Sequence, residues 1–336
     1  MKAARLHGPK DVRIEEVPEP VAAEGEVLIR VRAVSICASD CRMYWDGHAG
    51  GVTPDHPMIQ GHEFAGDIAG RGPGVGGPPV GTRVAVEPSW HCGECDMCEA
   101  GYPNVCRNIQ FPSFPNRDGA LAEYIACPAN AICEIPDHVS YTEAALVEPL
   151  GVGMHAARLA DPKPGDRVVI LGMGAIGVSV LMSCKLRGVE QVAASEPVEG
   201  RRQWARDLGA DPVVASAREL IEAERETEVI IECAGEATAV EEALLLAKPE
   251  GKVVVVGIPH PERISFDACV PRRHELTMIF ARRSRNTLEE AVGLVASGRI
   301  DLKVLPIRKF TLEQAADAIE TTAARPGDML RAVVEP

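Results

Sequence analysis

The stretch VVILGMGAIG, residues 168–177, restricts the fold more than any other part of the chain. A short apolar run leads straight into G-x-G-x-x-G at Gly172, Gly174 and Gly177, and a helix-forming segment follows. Alone, that glycine pattern is weak. Between a strand and a helix, its first glycine permits a tight turn, its second lets the backbone approach a pyrophosphate, and its third lets helix and strand pack closely, with the helix N-terminus facing the anion. The surrounding text repeats strand, glycine turn and amphipathic helix: RVVILGMG, QVAASEP, VIIECAG and KVVVVGIP, separated by GRRQWARDLGA and AVEEALLLAK. Such alternation implies a parallel sheet with helices on both faces. An ordinary strand-to-helix turn is the competing reading of the glycines.

The strand QVAAS ends on Glu196, nineteen residues after Gly177, where a dinucleotide fold sets an acid against the adenosine ribose. A carboxylate there accepts hydrogen bonds from both hydroxyls and repels a 2′-phosphate, so the spacing predicts NAD over NADP. Arg201, close by, relaxes that preference if its side chain turns to the same place. The bland alternative makes Glu196 a solvated turn residue.

Before residue 151 the text is different: short β runs (EVLIRVRAVSI, EFAGDIAG, RVAVEPSW) broken by Gly- and Pro-rich turns, which predicts a β-rich, loop-heavy domain. From about Arg283 the chain carries helix candidates TLEEAVGLVASG and TLEQAADAIETTA around a short strand, LKVLPIRKF. At 336 residues the chain has room for two domains. Its 49 acidic against 35 basic residues give a net charge of −14, the wrong sign for a phosphate backbone or an anionic membrane surface. No stretch of about 18 apolar residues appears, and the N-terminus lacks a signal-type apolar region, so a cytoplasmic protein with no nucleic-acid or membrane partner is expected.

Four cysteines, Cys92, Cys95, Cys98 and Cys106, sit at C-x2-C-x2-C-x7-C within HCGECDMCEAGYPNVC. Two tight loops and a returning excursion can close four thiolates around a tetrahedral ion, and an all-sulfur shell leaves no open position; a structural zinc is the favoured reading. Cys127, Cys133, Cys184, Cys233 and Cys269 stand in mainly apolar company and are expected to pack as small hydrophobes. Chemistry then needs a second centre. Cys37 in ICASDCRMY, His62 and Glu63 in IQGHEFAG, and Glu148 in LVEPLGVGMHA offer donors that zinc accepts, three of which leave a position open. They are far apart in sequence, and spacing alone does not join them.

Taken in order, Cys37-Ala38-Ser39-Asp40, Gly61-His62-Glu63, the four-thiol lobe, Glu148-Pro149 and the glycine motif resemble the zinc-dependent medium-chain dehydrogenase/reductase family, in particular its polyol (sorbitol-type) and threonine dehydrogenase branch. The resemblance runs through essentially the whole chain. It implies a GroES-like β-rich catalytic domain over 1–151 with a zinc lobe at about 90–107, a Rossmann doubly wound parallel sheet over 152–282, and a return to the catalytic domain over 283–336. It also implies two zinc ions per chain and NAD. Cys37, His62 and Glu63 would hold the catalytic ion, with Glu148 either a fourth ligand or a partner of bound water. Asp40 would orient His62, or merely cap a helix; Ser39 would begin a proton relay. Ile176, Glu196, Arg201, Val256, Gly257 and Ile258 match cofactor contacts, and Arg283 matches a position near substrate and nicotinamide, or is a surface charge.

The implied reaction is hydride transfer from a secondary alcohol of a polyol, sugar derivative or similar molecule to NAD. An L-threonine 3-dehydrogenase is the alternative within the class, and a catalytically silent NAD- and zinc-binding sensor is the alternative outside it. Relatives pair through the edge of the cofactor sheet, which implies a homodimer or homotetramer. Three positions depart from the pattern: Arg42 stands where the relay usually ends in histidine, Met43 replaces a polyol-binding tyrosine, and Ser284 replaces the aromatic residue after Arg283. Arg42 cannot exchange a proton near neutral pH. His48 and His56 are loop histidines that could substitute in the relay.

Overall fold

The computed structural model describes residues 1–54, 57–115, 117–259 and 263–336; His56 lies outside the described residues. The chain forms two compact units, one of Met1–Glu148 with Leu288–Pro336, the other of Pro149–Thr287.

In the first unit one sheet runs in the order Ile307–Thr311, Arg331–Glu335, Glu26–Ser35, Glu63–Arg71, Arg83–Val86 and Ile132–Glu134, with Tyr124–Pro128 also paired to Glu26–Ser35. It is antiparallel except where Ile307–Thr311 runs parallel to Arg331–Glu335. A smaller sheet joins Asp11–Glu16, Lys2–Gly8 and Met58–Ile59. Glu26–Ser35 is the central strand because Val27, Ile29, Val31 and Val34 are buried within a core shared with Phe64, Ile68, Val84 and Leu121. The predicted run RVAVEPSW is a strand only over Arg83–Val86, since Pro88 has no N–H to give a ladder. Beyond it Trp90 makes an isolated bridge to Gln110.

Among the described residues the second unit holds six parallel strands: Val213–Val214, Gln191–Ser195, Arg167–Leu171, Thr227–Glu232, Ala247–Val255 and Thr277–Phe280, in that spatial order. Numbered along the chain this is 3-2-1-4-5-6, the doubly wound Rossmann order, whose switch point lies between Arg167–Leu171 and Thr227–Glu232. Apolar residues at helical spacing in Ala237–Leu246, namely Ala239, Val240, Ala243 and Leu244, pack with Ile230, Val253 and Val255 of the sheet. Among the described residues, no helix is long and apolar enough to cross a membrane.

Candidate metal centres and cofactor unit

Pairing register gathers the first donor set. Ser35 lies opposite Glu63 in the antiparallel ladder and opposite Val333 on its other side. Cys37 therefore emerges two residues beyond Ser35, beside the start of the strand that carries Glu63. Gly61 turns the chain into His62 at φ +91°, and a Cβ there would sit 2.8 Å from a Val34 methyl, so only glycine fits. The result is that one donor atom each from Cys37, His62 and Glu63 lies within 4.8 Å of the others.

Cys37 also opens the helix Ala38–Asp46. Asp40 Oδ2 accepts from the Cys37 amide at 2.9 Å and Oδ1 from the Gly61 amide at 3.3 Å. Asp40 thus caps the helix and stitches together the two backbones that bear ligands. Its Oδ1 is 3.6 Å from His62 Nδ1, longer than a hydrogen bond. Ser39 is half-buried in the first helical turn.

Glu63 is held by a residue that no sequence motif marks. Arg331 donates from one guanidinium nitrogen to Glu63 Oε1 at 2.9 Å and from the other to the Ile36 carbonyl at 2.5 Å. Both side chains of the pair are almost wholly buried, 6% and 1% exposed. Glu63 Oε2 is left buried without a hydrogen-bond partner, an arrangement that costs free energy unless a cation completes it. Sulfur, imidazole and carboxylate are donors that zinc accepts, so the residues fit the ion. Glu148, on the helix Tyr141–Ala160, is buried but falls outside this 4.8 Å set. Burial first and the charge of Glu63 second push its carboxyl up to about 8.

The four thiols of the lobe converge as well. Cys95–Cys98, Cys95–Cys106 and Cys92–Cys106 sulfurs are 3.6, 3.8 and 3.5 Å apart. A tetrahedral ion with bonds of about 2.3 Å has sulfur–sulfur edges of about 3.8 Å, whereas a disulfide would bring them to about 2.05 Å. Amides of Cys92 and Asn108 point at the Cys106 sulfur at 3.4 and 3.3 Å. The Arg107 amide, with help from that of Cys98, draws the Cys95 thiol down to about 6, toward the thiolate that a metal needs. Outside the lobe's sulfurs, Arg107 grips Asp96 with a two-pronged ion pair at 2.6 and 2.7 Å.

In the second unit, Gly172 has φ +87° and Gly174 precedes the helix Ala175–Leu186. A Cβ on Gly177 would fall 1.9 Å from the Gly172 carbonyl oxygen. That is the close packing that the third glycine of the motif allows. Ile176 is half-buried in this first turn. Glu196 is not a solvated turn residue: it is 5% exposed, accepting from the Met173 amide at 2.8 Å and the Val198 amide at 3.0 Å. Its carboxylate thereby ties the glycine turn to the end of the neighbouring strand, leaving further lone pairs for hydroxyl donors. Arg201 is buried, with Nη1 4.0 Å from where a Gly174 Cβ would be. Val256 and Gly257 are half-buried and Ile258 exposed just past the strand Ala247–Val255. Arg283 is half-buried at φ +52° and is therefore not a plain surface charge. Glu232, also missed from the sequence, accepts from the Ala234 and Gly235 amides, both at 2.7 Å, and holds the turn after its strand.

Two family models match the chain: "Alcohol dehydrogenase GroES-like domain" over residues 23–137 and "Zinc-binding dehydrogenase" over residues 175–297. A sorbitol dehydrogenase of Bacillus subtilis is 36% identical over 100% of this chain and 97% of its own length. The chain belongs to the zinc-binding dehydrogenase family. Solved relatives include an Escherichia coli alcohol dehydrogenase complexed with NADH, at TM-score 0.91 and 27% identity over 100% of this chain and 99% of its own. A candidate zinc-binding dehydrogenase from Sinorhizobium meliloti bound to NADP has TM-score 0.89 and 30% identity over 100% and 99%. Its membership makes this chain a zinc-dependent oxidoreductase that uses a nicotinamide cofactor and a small alcohol substrate.

Proposed function

We propose that this dehydrogenase oxidises a secondary alcohol of a polyol or sugar derivative with NAD, using two zinc ions per chain. The observation that carries the reading is the convergence of Cys37, His62 and Glu63, with Glu63 Oε2 buried and unpartnered. Three protein donors of this kind leave a coordination position for substrate. Cys37, His62 and Glu63 would hold a zinc ion that acts as a Lewis acid on the alcohol, and NAD supplies the hydride acceptor. Arg331 keeps Glu63 anchored through one oxygen so that the other stays available. Ser39, half-buried in the turn after Cys37, would take the hydroxyl proton onward. Arg42 cannot continue that path. Glu148, buried on the helix Tyr141–Ala160, would serve either as a further ligand or as a partner of water at the site.

The acid at Glu196 favours NAD over NADP, because its charge opposes a 2′-phosphate. Cys92, Cys95, Cys98 and Cys106 would hold the second ion, which braces a loop. Copies would pair into a homodimer or homotetramer along the edge strand Thr277–Phe280, where Phe280 is 62% exposed. Reduced thiols in both clusters suit a cytoplasmic protein.

The test is NADH formation across a panel of linear polyols, cyclic polyols, sugar acids and L-threonine. The reading expects turnover with a polyol or sugar derivative. Turnover confined to L-threonine would replace it with a threonine 3-dehydrogenase, and zinc and NAD binding without turnover of any alcohol would replace it with a sensor.

A further inference from the structure

One hydroxyl stands against the imidazole of His62. Ser113 Oγ is 3.1 Å from His62 Nδ1. Asp40, whose carboxylate already accepts from the Cys37 and Gly61 amides, comes only to 3.6 Å. Ser113 is 4% exposed and has φ +62°, a left-handed conformation that glycine adopts freely and serine does not. Non-glycine residues held there are concentrated at functional sites. The rest of the FPSF segment closes on the same ring: the Phe111 and His62 centroids are 4.9 Å apart, and Phe114 stands edge-on to Phe111 at 5.4 Å.

A neutral imidazole has one N–H and one lone pair, and the partner of one nitrogen decides which is where. We propose that Ser113 is a positioning residue for His62: its hydroxyl oxygen accepts Nδ1–H, fixing the tautomer whose Nε2 lone pair joins the Cys37 and Glu63 donors. Asp40 Oδ1, 3.6 Å from Nδ1, lies beyond hydrogen-bond distance, which leaves the Ser113 hydroxyl at 3.1 Å as the nearer acceptor. Phe111 and Phe114 limit rotation of the ring about the axis that the hydrogen bond leaves free. This inference rests on the reading that Cys37, His62 and Glu63 hold zinc.

The experiment is chelator competition on the zinc-loaded full chain, comparing wild type with Ser113→Gly and Ser113→Ala. Cys37→Ser identifies which release step belongs to this centre. Removing the partner of a metal-bound histidine typically costs 10–100-fold in affinity, and both Ser113 variants should show that loss while the four-thiol ion is retained as in wild type. Zinc-free Ser113→Gly should melt at or above the wild-type temperature, because glycine suits φ +62°, and Ser113→Ala below it. Nitrogen NMR of wild type should find the proton of His62 on Nδ1. Wild-type zinc affinity in both variants, or a loss in Ser113→Ala alone, would assign Ser113 a backbone role and overturn the proposal. If instead wild type has no release step sensitive to Cys37→Ser, the metal reading itself fails and the inference with it.

Discussion

Replacing Arg331 with methionine removes the guanidinium that pairs with Glu63 and keeps an apolar stem of similar length. The pair is nearly sealed from water, at 2.9 Å with side-chain exposures of 6% and 1%. Breaking one partner out of a buried pair costs about 3–5 kcal/mol, because the survivor is stranded in a poorly solvating site. The Ile36 carbonyl loses its donor as well, for about 1 kcal/mol more. The zinc-free first unit should therefore lose about 4–6 kcal/mol of stability, and Arg331→Lys, which keeps charge but not the two-pronged grip, clearly less. Zinc supplies positive charge to the same carboxylate, so the penalty should shrink when the protein is loaded. Urea unfolding in a Trp204→Phe background isolates the first unit, whose tryptophans are Trp45 and Trp90. A zinc-free loss below about 1 kcal/mol would refute the charge argument. So would an equal loss with and without zinc, which would make Arg331 a packing residue.

Other expectations follow from the same geometry. Cys95→Ser should lower the melting temperature, with activity lost only as the protein unfolds; inactivation of the still-folded variant would contradict a bracing role for the lobe. Glu228 is gripped by Arg167 through both guanidinium prongs at 3.0 Å and by Lys248 at 3.1 Å. Chiefly through Arg167, its carboxyl is held down at about 2. Because the folded value lies below the free one, this stabilisation is complete above about pH 4.5 and is lost as pH falls toward 2. Partial exposure reduces it to about 1–2 kcal/mol, so Glu228→Gln should be less stable than wild type at pH 7 and converge with it near pH 2 in urea titrations. Glu196→Ala should narrow the preference for NAD over NADP by about 10-fold or more in kcat/KM, on the scale of a charged hydrogen bond. It should also weaken both cofactors by freeing the Met173 amide, and an unchanged ratio would remove the ribose assignment.

Local chemistry was legible in the sequence wherever a fold demands a residue type at fixed spacing. The glycines at 172, 174 and 177 announced a strand, a turn and a helix, and the thiol spacing announced a lobe, because both motifs close within a few residues. The sheet order was not legible, since which strand lies beside Arg167–Leu171 depends on crossovers rather than on any strand's own residues. The same limit hid the supports of the first metal centre. Arg331 reaches Glu63 across 268 residues only because two antiparallel ladders meet on Glu26–Ser35. In sequence it is one charge opening an apolar strand. Ser113 lies 51 residues from His62, in a segment whose only local signal is a serine between a phenylalanine–proline pair and another. Asp40 was legible in position, while its two backbone acceptances, from the Cys37 and Gly61 amides, and its 3.6 Å distance to His62 Nδ1 depend on the fold.

The most direct measurement is zinc content per chain for wild type and Cys37→Ser, each confirmed to be folded. The account predicts two ions in wild type and one in the variant, with the remaining ion released only by conditions that also attack the four-thiol lobe. Two ions in both proteins, or one in both, would contradict a centre built on Cys37, His62 and Glu63.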